Sequence, residues 1–436
     1  MRRSFLLVPS VAILLGACGT EPSSSAGPVA STEVSAEAGC REGATLRVMT
    51  QNLYLGADIV PLVDAPADQI VQASTKLWET VRRTHFPARA QVIADEVRAN
   101  LPDVLGLQEV TTWRTGDPVV CATGNPNDTQ ATKVAYDYLA ILLRALRERG
   151  LDYEVVAQTT TMDAEVCIGD PANPTTLSDL RYTDHDVLLV RRGVAWRTPA
   201  VPPAVPGFVA APIGPGPGDL NGGVYAAALT GEPVPATACF LLAGNTDPAT
   251  AVCSYRGWTE TEVRKGGQWV RIFESHPEDW LDTPAGVPQW IFQGLQVIQL
   301  VALLDGAYAE SPLPTLALGD FNAYVTLADR PPVYEYLIGD GADLEAALAA
   351  LVGGPVTLPP SPLADAWTAL HPGDPGYTWG FDELLYTGTL STRLDLVLGT
   401  PDLTPLFMKR VGTYNRTWAG QHPSDHAGLV AIFAVP

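Results

Sequence analysis

Four times along this chain, an apolar run of strand length meets a short polar string. The strings are Leu107-Gln108-Glu109, Leu318-Gly319-Asp320-Phe321-Asn322, Arg393-Leu394-Asp395-Leu396 and Ser424-Asp425-His426. A carboxylate set against an apolar strand is costly unless it faces a cleft, a cation or a hydrogen-bonding partner. The chain must therefore fold so that strand ends far apart in sequence meet at one shared mouth. Between them these strings supply carboxylates, an amide and an imidazole, a set able to hold a hard cation and activate a water.

The remaining pattern places elements around those ends. Leu46–Asn52, Asp103–Glu109, Tyr153–Gln158, Asp186–Arg191, Gln268–Glu274, Thr315–Leu318, Leu394–Leu398 and Leu429–Ala434 read as strands. Residues 89–100, 132–149, 290–304 and 344–351 read as helices, the second closed by Gly150. Strands and helices alternate without a strict βαβ rhythm, which favours an α+β sandwich over a doubly wound sheet. No glycine-rich phosphate fingerprint joins a strand to a helix, which disfavours a nucleotide-cofactor fold. The 39 glycines and 38 prolines imply many loops, above all across Pro199–Gly223.

The first 44 residues read as delivery rather than fold. Arg2 and Arg3 precede an apolar stretch, Phe5 to Leu15, too short to span a bilayer. Leu15-Gly16-Ala17-Cys18 then resembles a bacterial lipobox with Cys18 as the lipidated residue; an ordinary secretory signal is the alternative. The expected organisation is a signal over 1–18, a disordered tether over 19–44 and a catalytic domain over 45–436, with an insertion near 195–258. Such a protein is exported and anchored on the periplasmic face or the cell surface of a bacterium, and is expected to be a monomer. Export makes disulfides reasonable: Cys121 with Cys167 and Cys239 with Cys253 are plausible pairs, Cys40 is left over, and other arrangements remain open. A net charge of -21 argues against a general basic grip on polyanions.

Individual residues sharpen the chemistry. Asp395 lies inside an apolar strand and needs a partner, for which His426 is the candidate; the pair would act as a general base with its orienting acid. Asp320 and Asn322 have the two-residue spacing of extended chain and are expected to point into one pocket, with Gly319 allowing a tight turn. Asp184-His185-Asp186 reads as a solvated group with His185 near substrate at most. Asp365, Trp367, His371 and Tyr377-Thr378-Trp379 read as packing residues. Phe208, Val209, Tyr225 and Phe240 in the insertion are expected on a rim around the cleft, for lipid contact or packing.

Taken in order, Thr50-Gln51-Asn52, Asp103 to Glu109, Val270 to His276, Gly319 to Asn322, Arg393 to Leu398 and Ser424 to His426 resemble the endonuclease/exonuclease/phosphatase superfamily. That superfamily includes DNase I-like nucleases, abasic-site endonucleases, neutral sphingomyelinases and inositol-polyphosphate 5-phosphatases. The resemblance covers Leu46 to the C-terminus and implies a four-layer α/β/β/α sandwich. It implies Glu109 as the main Mg²⁺ ligand, with Mn²⁺ or Ca²⁺ as alternative ions, and Asn52 and Asp425 as further members of the metal shell. Asp320 would position the water or the leaving oxygen, Asn322 would touch a phosphate oxygen, and His276 would bond the scissile phosphate. Glu274-Ser275 stands where the family carries Asn-Thr. The implied substrate is a phosphoester, in nucleic acid or in a phospholipid as for a sphingomyelinase. A non-catalytic surface-binding lipoprotein is the alternative from another class.

Overall fold

The computed structural model describes residues 44–199, 220–227, 234–235, 238–240, 242, 247, 250–279, 290–326 and 332–436. Cys18, Cys40, Phe208 and Val209 lie outside the described residues, as do the expected signal and tether. The strand Thr45–Asn52 runs through the middle of an eight-stranded sheet. It pairs in parallel with Val104–Gln108 and antiparallel with Gly428–Ala434. Register sets Thr45 opposite Ala434 and Thr50 opposite Leu429, so Asn52 lies at the end where the last strand begins. Alternation gives each strand two apolar faces: Leu46, Val48 and Val104 point one way, and Met49, Leu105 and Leu107 the other.

A seven-stranded sheet forms the second layer, in the order Ala364–Asp365, Asp395–Gly399, Thr315–Asp320, Gln268–Ser275, Gly257–Lys265 and Ala195–Arg197, with Gly222–Val224 also on Gly257–Lys265. Val270, Ile272, Leu316, Leu318 and Val397 meet Leu46, Val48, Val104 and Leu188 to form the core between the sheets. The sheets meet tightly at Gly106, where a Cβ would sit 2.3 Å from Leu318 Cδ1. Gly319 is not in a turn as expected. The strand continues through Asp320, and Gly319, at φ 150°, lies so close to its neighbour that a Cβ would fall 2.0 Å from the Ser275 carbonyl oxygen.

Helices cover both outer faces. Ile70–Thr84, Phe86–Asn100 and Tyr138–Arg147 pack on the first sheet through Leu77, Val81, Ile93, Val97 and Leu142. Trp290–Glu310 packs on the second sheet with Val333–Leu337 and Ala342–Val352. Trp290–Glu310 is long and apolar enough to cross a membrane, but it is apolar all round because 72% of its most apolar window is buried in this core. The architecture is therefore helix, sheet, sheet, helix, as expected.

Several boundaries differ from expectation. The helix expected over 132–149 starts only at Tyr138. Residues Lys133–Asp137 are an edge strand, and Asp137 caps the helix by accepting from Ala140 N at 2.9 Å. The strands expected at 153–158 and 186–191 are the ends of a longer hairpin, Tyr153–Ile168 and Ser178–Arg191. Cys121 and Cys167 form a disulfide beside this hairpin. Cys253 is disulfide-bonded too, and backbone register sets it opposite Cys239, whose side chain is outside the described set. The insertion is not only a rim, because strands at both its ends extend the second sheet. Tyr225 is fully buried and shares a hydrogen bond with Ser275 at 2.7 Å, so it is core and not rim.

Candidate active site

The polar strings converge where the two sheets open. Asp395 begins its strand directly opposite Asp320. Thr378 fixes that start by accepting from the backbone N–H groups of Leu394 and Asp395 at 3.0 and 3.2 Å. Across the mouth, Ser424 Oγ donates to the Asn52 carbonyl at 2.8 Å and accepts from His426 N at 3.1 Å, tying the last loop to the first strand. His426 Nδ1 then lies 2.8 Å from Asp395 Oδ2. An ionised carboxylate only accepts, so Nδ1 carries a proton, and in the neutral ring Nε2 is the bare nitrogen. Nε2 lies 3.6 Å from Asp320 Oδ2. Burial works against a charge on this ring, but Asp395, Asp320 and Asp425 outweigh it and hold its pKa well above the usual value.

Asn52 links this group to Glu109. Its Nδ2 donates to Glu109 Oε1 at 2.9 Å and to Asp320 Oδ2 at 3.0 Å. Its Oδ1 accepts from Tyr54 N at 2.8 Å, which fixes the amide's orientation. The expected place of Asn52 among the metal ligands changes accordingly: its nitrogen, not its oxygen, faces the acids. Glu109 Oε2 accepts from Leu55 N at 2.6 Å. Glu109, Tyr54 and Asn322 all have positive φ (54°, 57° and 48°), a conformation non-glycine residues hold only when their surroundings enforce it. Asn322 leaves the strand line, so the two-residue spacing no longer aims it beside Asp320. Its backbone N–H reaches Asp320 Oδ1 at 3.0 Å and its Nδ2 donates to the Pro277 carbonyl at 3.1 Å.

The donor set fits a hard divalent cation. Burial, then the neighbouring charges of Asp425 and Asp184, push the Glu109 carboxyl up to about 7. Burial likewise raises Asp425, whose carboxyl accepts from Ser424 at 3.2 Å and Trp379 Nε1 at 3.3 Å. Two like charges crowded this way favour a bound cation with oxygen ligands. Asp320, Asp395 and His426 also bring one donor atom each within 4.8 Å of one another, but His426 and Asp395 are already bonded to each other. The grouping of Cys121, Cys167 and Asp179 holds no thiolate, because its sulfurs form the disulfide.

The sequence reading missed several buried residues around the mouth. Asp184 and Asp186 are not solvated: they are 3% and 0% exposed. Asp184 accepts from Thr111 and Thr161 at 3.2 and 2.8 Å, while among the described residues neither carboxyl oxygen of Asp186 has a hydrogen-bond partner. Burial, with Glu274 and Asp184 nearby, raises Asp186 well above the carboxylate range. Glu274 is fully buried, bonded to Gln108 and Thr259, and burial pushes it up to about 8. Arg89 is fully buried and donates to the carbonyls of Thr84, Leu53, Tyr54 and Pro423, joining the loop after Asn52 to the loop before Asp425. The signal for Glu274 was present, since it is an acid inside an apolar strand as Asp395 is. Nothing in the local sequence marks Arg89. His276 sits in the mouth, its Nε2 3.6 Å from Asp320 Oδ2. Asp365, Trp367 and His371 pack as expected: Asp365 pairs with Arg393 at 2.8 Å and caps Trp367, and His371 bonds the Met408 carbonyl.

A family model described as the Endonuclease/Exonuclease/phosphatase family matches residues 49–426. The chain belongs to the endonuclease/exonuclease/phosphatase family. It is thus a metal-dependent phosphoester hydrolase of the nuclease and phosphodiesterase type, built on the family's DNase I-like sandwich. Among curated proteins none matches the chain. Solved structures do. An endonuclease/exonuclease/phosphatase family protein from Bacteroides thetaiotaomicron is 13% identical over 91% of this chain and 99% of its own, with a TM-score of 0.44. The catalytic domain of human Nocturnin with bound sulfate is 16% identical over 90% and 95%, at 0.43. D. rerio TDP2 complexed with a single-strand DNA product is 16% identical over 89% and 98%, at 0.41.

Proposed function

We propose that the chain is an exported, membrane-tethered phosphodiesterase that cleaves its substrate with Mg²⁺ and a water activated by His426. The observation that carries this reading is His426 held between Asp395 at 2.8 Å and Asp320 at 3.6 Å, beside the Asn52–Glu109 pair. Bound at Glu109 and Asp425, Mg²⁺ would neutralise charge on the phosphoryl oxygens and the departing oxygen. In its neutral form His426 takes the proton from the attacking water at Nε2, and Asp395 holds the ring in the required tautomer. Asp320, braced by the Asn322 backbone N–H, orients that water, while His276 contacts the phosphate. Asn52 fixes the Glu109 carboxylate. No covalent enzyme intermediate is needed.

The substrate class we favour is a nucleic-acid phosphodiester, with a sphingomyelinase-like phospholipid reaction as the alternative that a membrane tether supports. The test is cleavage of bis-p-nitrophenyl phosphate with Mg²⁺ or with EDTA, followed by plasmid DNA, RNA, sphingomyelin and inositol phosphates in parallel. His426→Ala is expected to lower kcat by about 10²–10⁴-fold, and Glu109→Ala should do so with loss of Mg²⁺ dependence. Near-wild-type turnover in either variant removes the assigned role. Arg2, Arg3 and the string ending at Cys18 support the tether. Cys18→Ser is expected to release the protein from the membrane fraction.

A further inference from the structure

His276 follows the strand Gln268–Ser275 and is buried at the mouth. Its two ring nitrogens face different groups. Nε2 looks toward Asp320 Oδ2 at 3.6 Å. Nδ1 lies 3.1 Å from Arg256 Nη1 and 3.6 Å from Asp186 Oδ1. A guanidinium has five N–H donors and no acceptor. A ring nitrogen at hydrogen-bond distance from it must offer a lone pair, since a proton there would set donor against donor. The proton of the neutral imidazole then sits on Nε2, facing the mouth.

We propose that Arg256 is a positioning residue that fixes His276 as the neutral Nε2–H tautomer, so that His276 meets the scissile phosphate as a hydrogen-bond donor and not as a proton-transferring imidazolium. Arg256 is itself held firmly. Its Nη2 and Nε reach Glu278 Oε1 at 3.1 and 3.4 Å. Its carbonyl accepts from Tyr225 N at 2.8 Å, and the preceding Tyr255 N donates to the Thr161 carbonyl at 2.7 Å. Burial opposes its charge, but Glu278 beside it keeps the guanidinium ionised. Burial of the ring, then Arg256 and His426, hold the pKa of His276 well below the usual value, in keeping with a neutral ring.

The two histidines around Asp320 Oδ2 thus carry opposite tautomers. His426 donates at Nδ1, so its basic nitrogen in the neutral ring is Nε2, whereas His276 accepts at Nδ1 and presents Nε2–H. The division of labour follows. The attacking water gives its proton to His426 Nε2 as its oxygen bonds phosphorus. The bond from phosphorus to the leaving oxygen breaks, and that oxygen takes its proton from bulk water. His426 later returns its proton to solvent, and His276 exchanges none. The phosphate contact rests on the functional reading above; the tautomer does not.

The experiment is long-range ¹H–¹⁵N NMR of protein carrying ¹⁵N-histidine, in EDTA at neutral pH, beside kinetics on bis-p-nitrophenyl phosphate with Mg²⁺. Wild-type His276 is expected to show a protonated Nε2 and a bare Nδ1. Arg256→Lys, whose ammonium also only donates, should keep that signature. Arg256→Met should let the proton move to Nδ1, toward Asp186, and lower kcat by about tenfold with little change in KM. A wild-type ring protonated at Nδ1 or at both nitrogens overturns the proposal, as does an Arg256→Met variant with unchanged spectrum and kcat. If Arg256→Met does not fold, the wild-type and Arg256→Lys spectra decide. Full turnover by His426→Ala alongside the expected His276 spectrum would sink the functional reading and leave the tautomer standing.

Discussion

Charge crowding at single residues makes this protein's stability depend on pH in a definite direction. Burial raises Glu109 to about 7, Glu274 to about 8 and Asp320 to about 6. Each acid keeps its proton in the fold at pH values where the unfolded chain has lost it. The folded state then binds more protons, and stability falls as pH climbs from the ordinary carboxylate range toward about 8. His426, raised above its unfolded value, contributes in the same sense: its stabilisation is complete below that value and lost as pH rises through the folded one. We expect thermal melts in EDTA to show a Tm that declines over this window, and Mg²⁺ to flatten the decline by binding the ionised acids. A Tm that rises with pH in EDTA would contradict this electrostatic picture. At this scale the sequence was most legible where one acid broke an apolar strand and had an obvious partner, as with Asp395 and His426. It was least legible for Arg256 and Asp186, which acquire meaning only from the His276 ring that folding sets beside them.

Among the elements, the helix Phe86–Asn100 has a part that its sequence conceals. It delivers Arg89 to four carbonyls on three separate segments. Arg89→Met leaves those carbonyls buried without donors, each costing about 1–3 kcal/mol. We expect a loss of at least about 3 kcal/mol in urea unfolding, with weaker Mg²⁺ binding because both acid-bearing loops lose their common support. Wild-type stability in that variant would show the contacts to be dispensable. The disulfide makes a separate claim. Cys121 and Cys167 close a loop of sequence separation 46, and Cys121→Ser should cost about 2–4 kcal/mol under oxidising conditions and nothing under reducing ones. Strand ends near the mouth were readable because each closes on a polar string. The edge strand Lys133–Asp137 was not, because its alternation runs straight into a helix with the same apolar content. The long hairpin was also missed, since Thr159, Thr161, Asp184 and Asp186 interrupt its apolar pattern with residues that fold into a polar, buried face.

On the scale of the whole molecule, two sheets press face to face, and Gly106 marks how tightly. Gly106→Val would drive a side chain into Leu318 and Glu274, and we expect about 1–3 kcal/mol of destabilisation together with lost activity, since Glu274 and Leu318 lead directly to His276 and Asp320. The layered plan followed from ordered motifs; the sheet-to-sheet distance did not, because no local pattern encodes which residues of two distant strands oppose one another. The central strand pair has one more effect. Thr45 opposite Ala434 puts the entry to the domain and its exit side by side, a full strand of about 25 Å from the residues that meet at Asn52 and His426. Whatever is leashed to either end pulls on the pole remote from the chemistry. Fixed to a bead through its final residues, the enzyme should keep its working face toward the bulk and process a soluble diester as fast as when free.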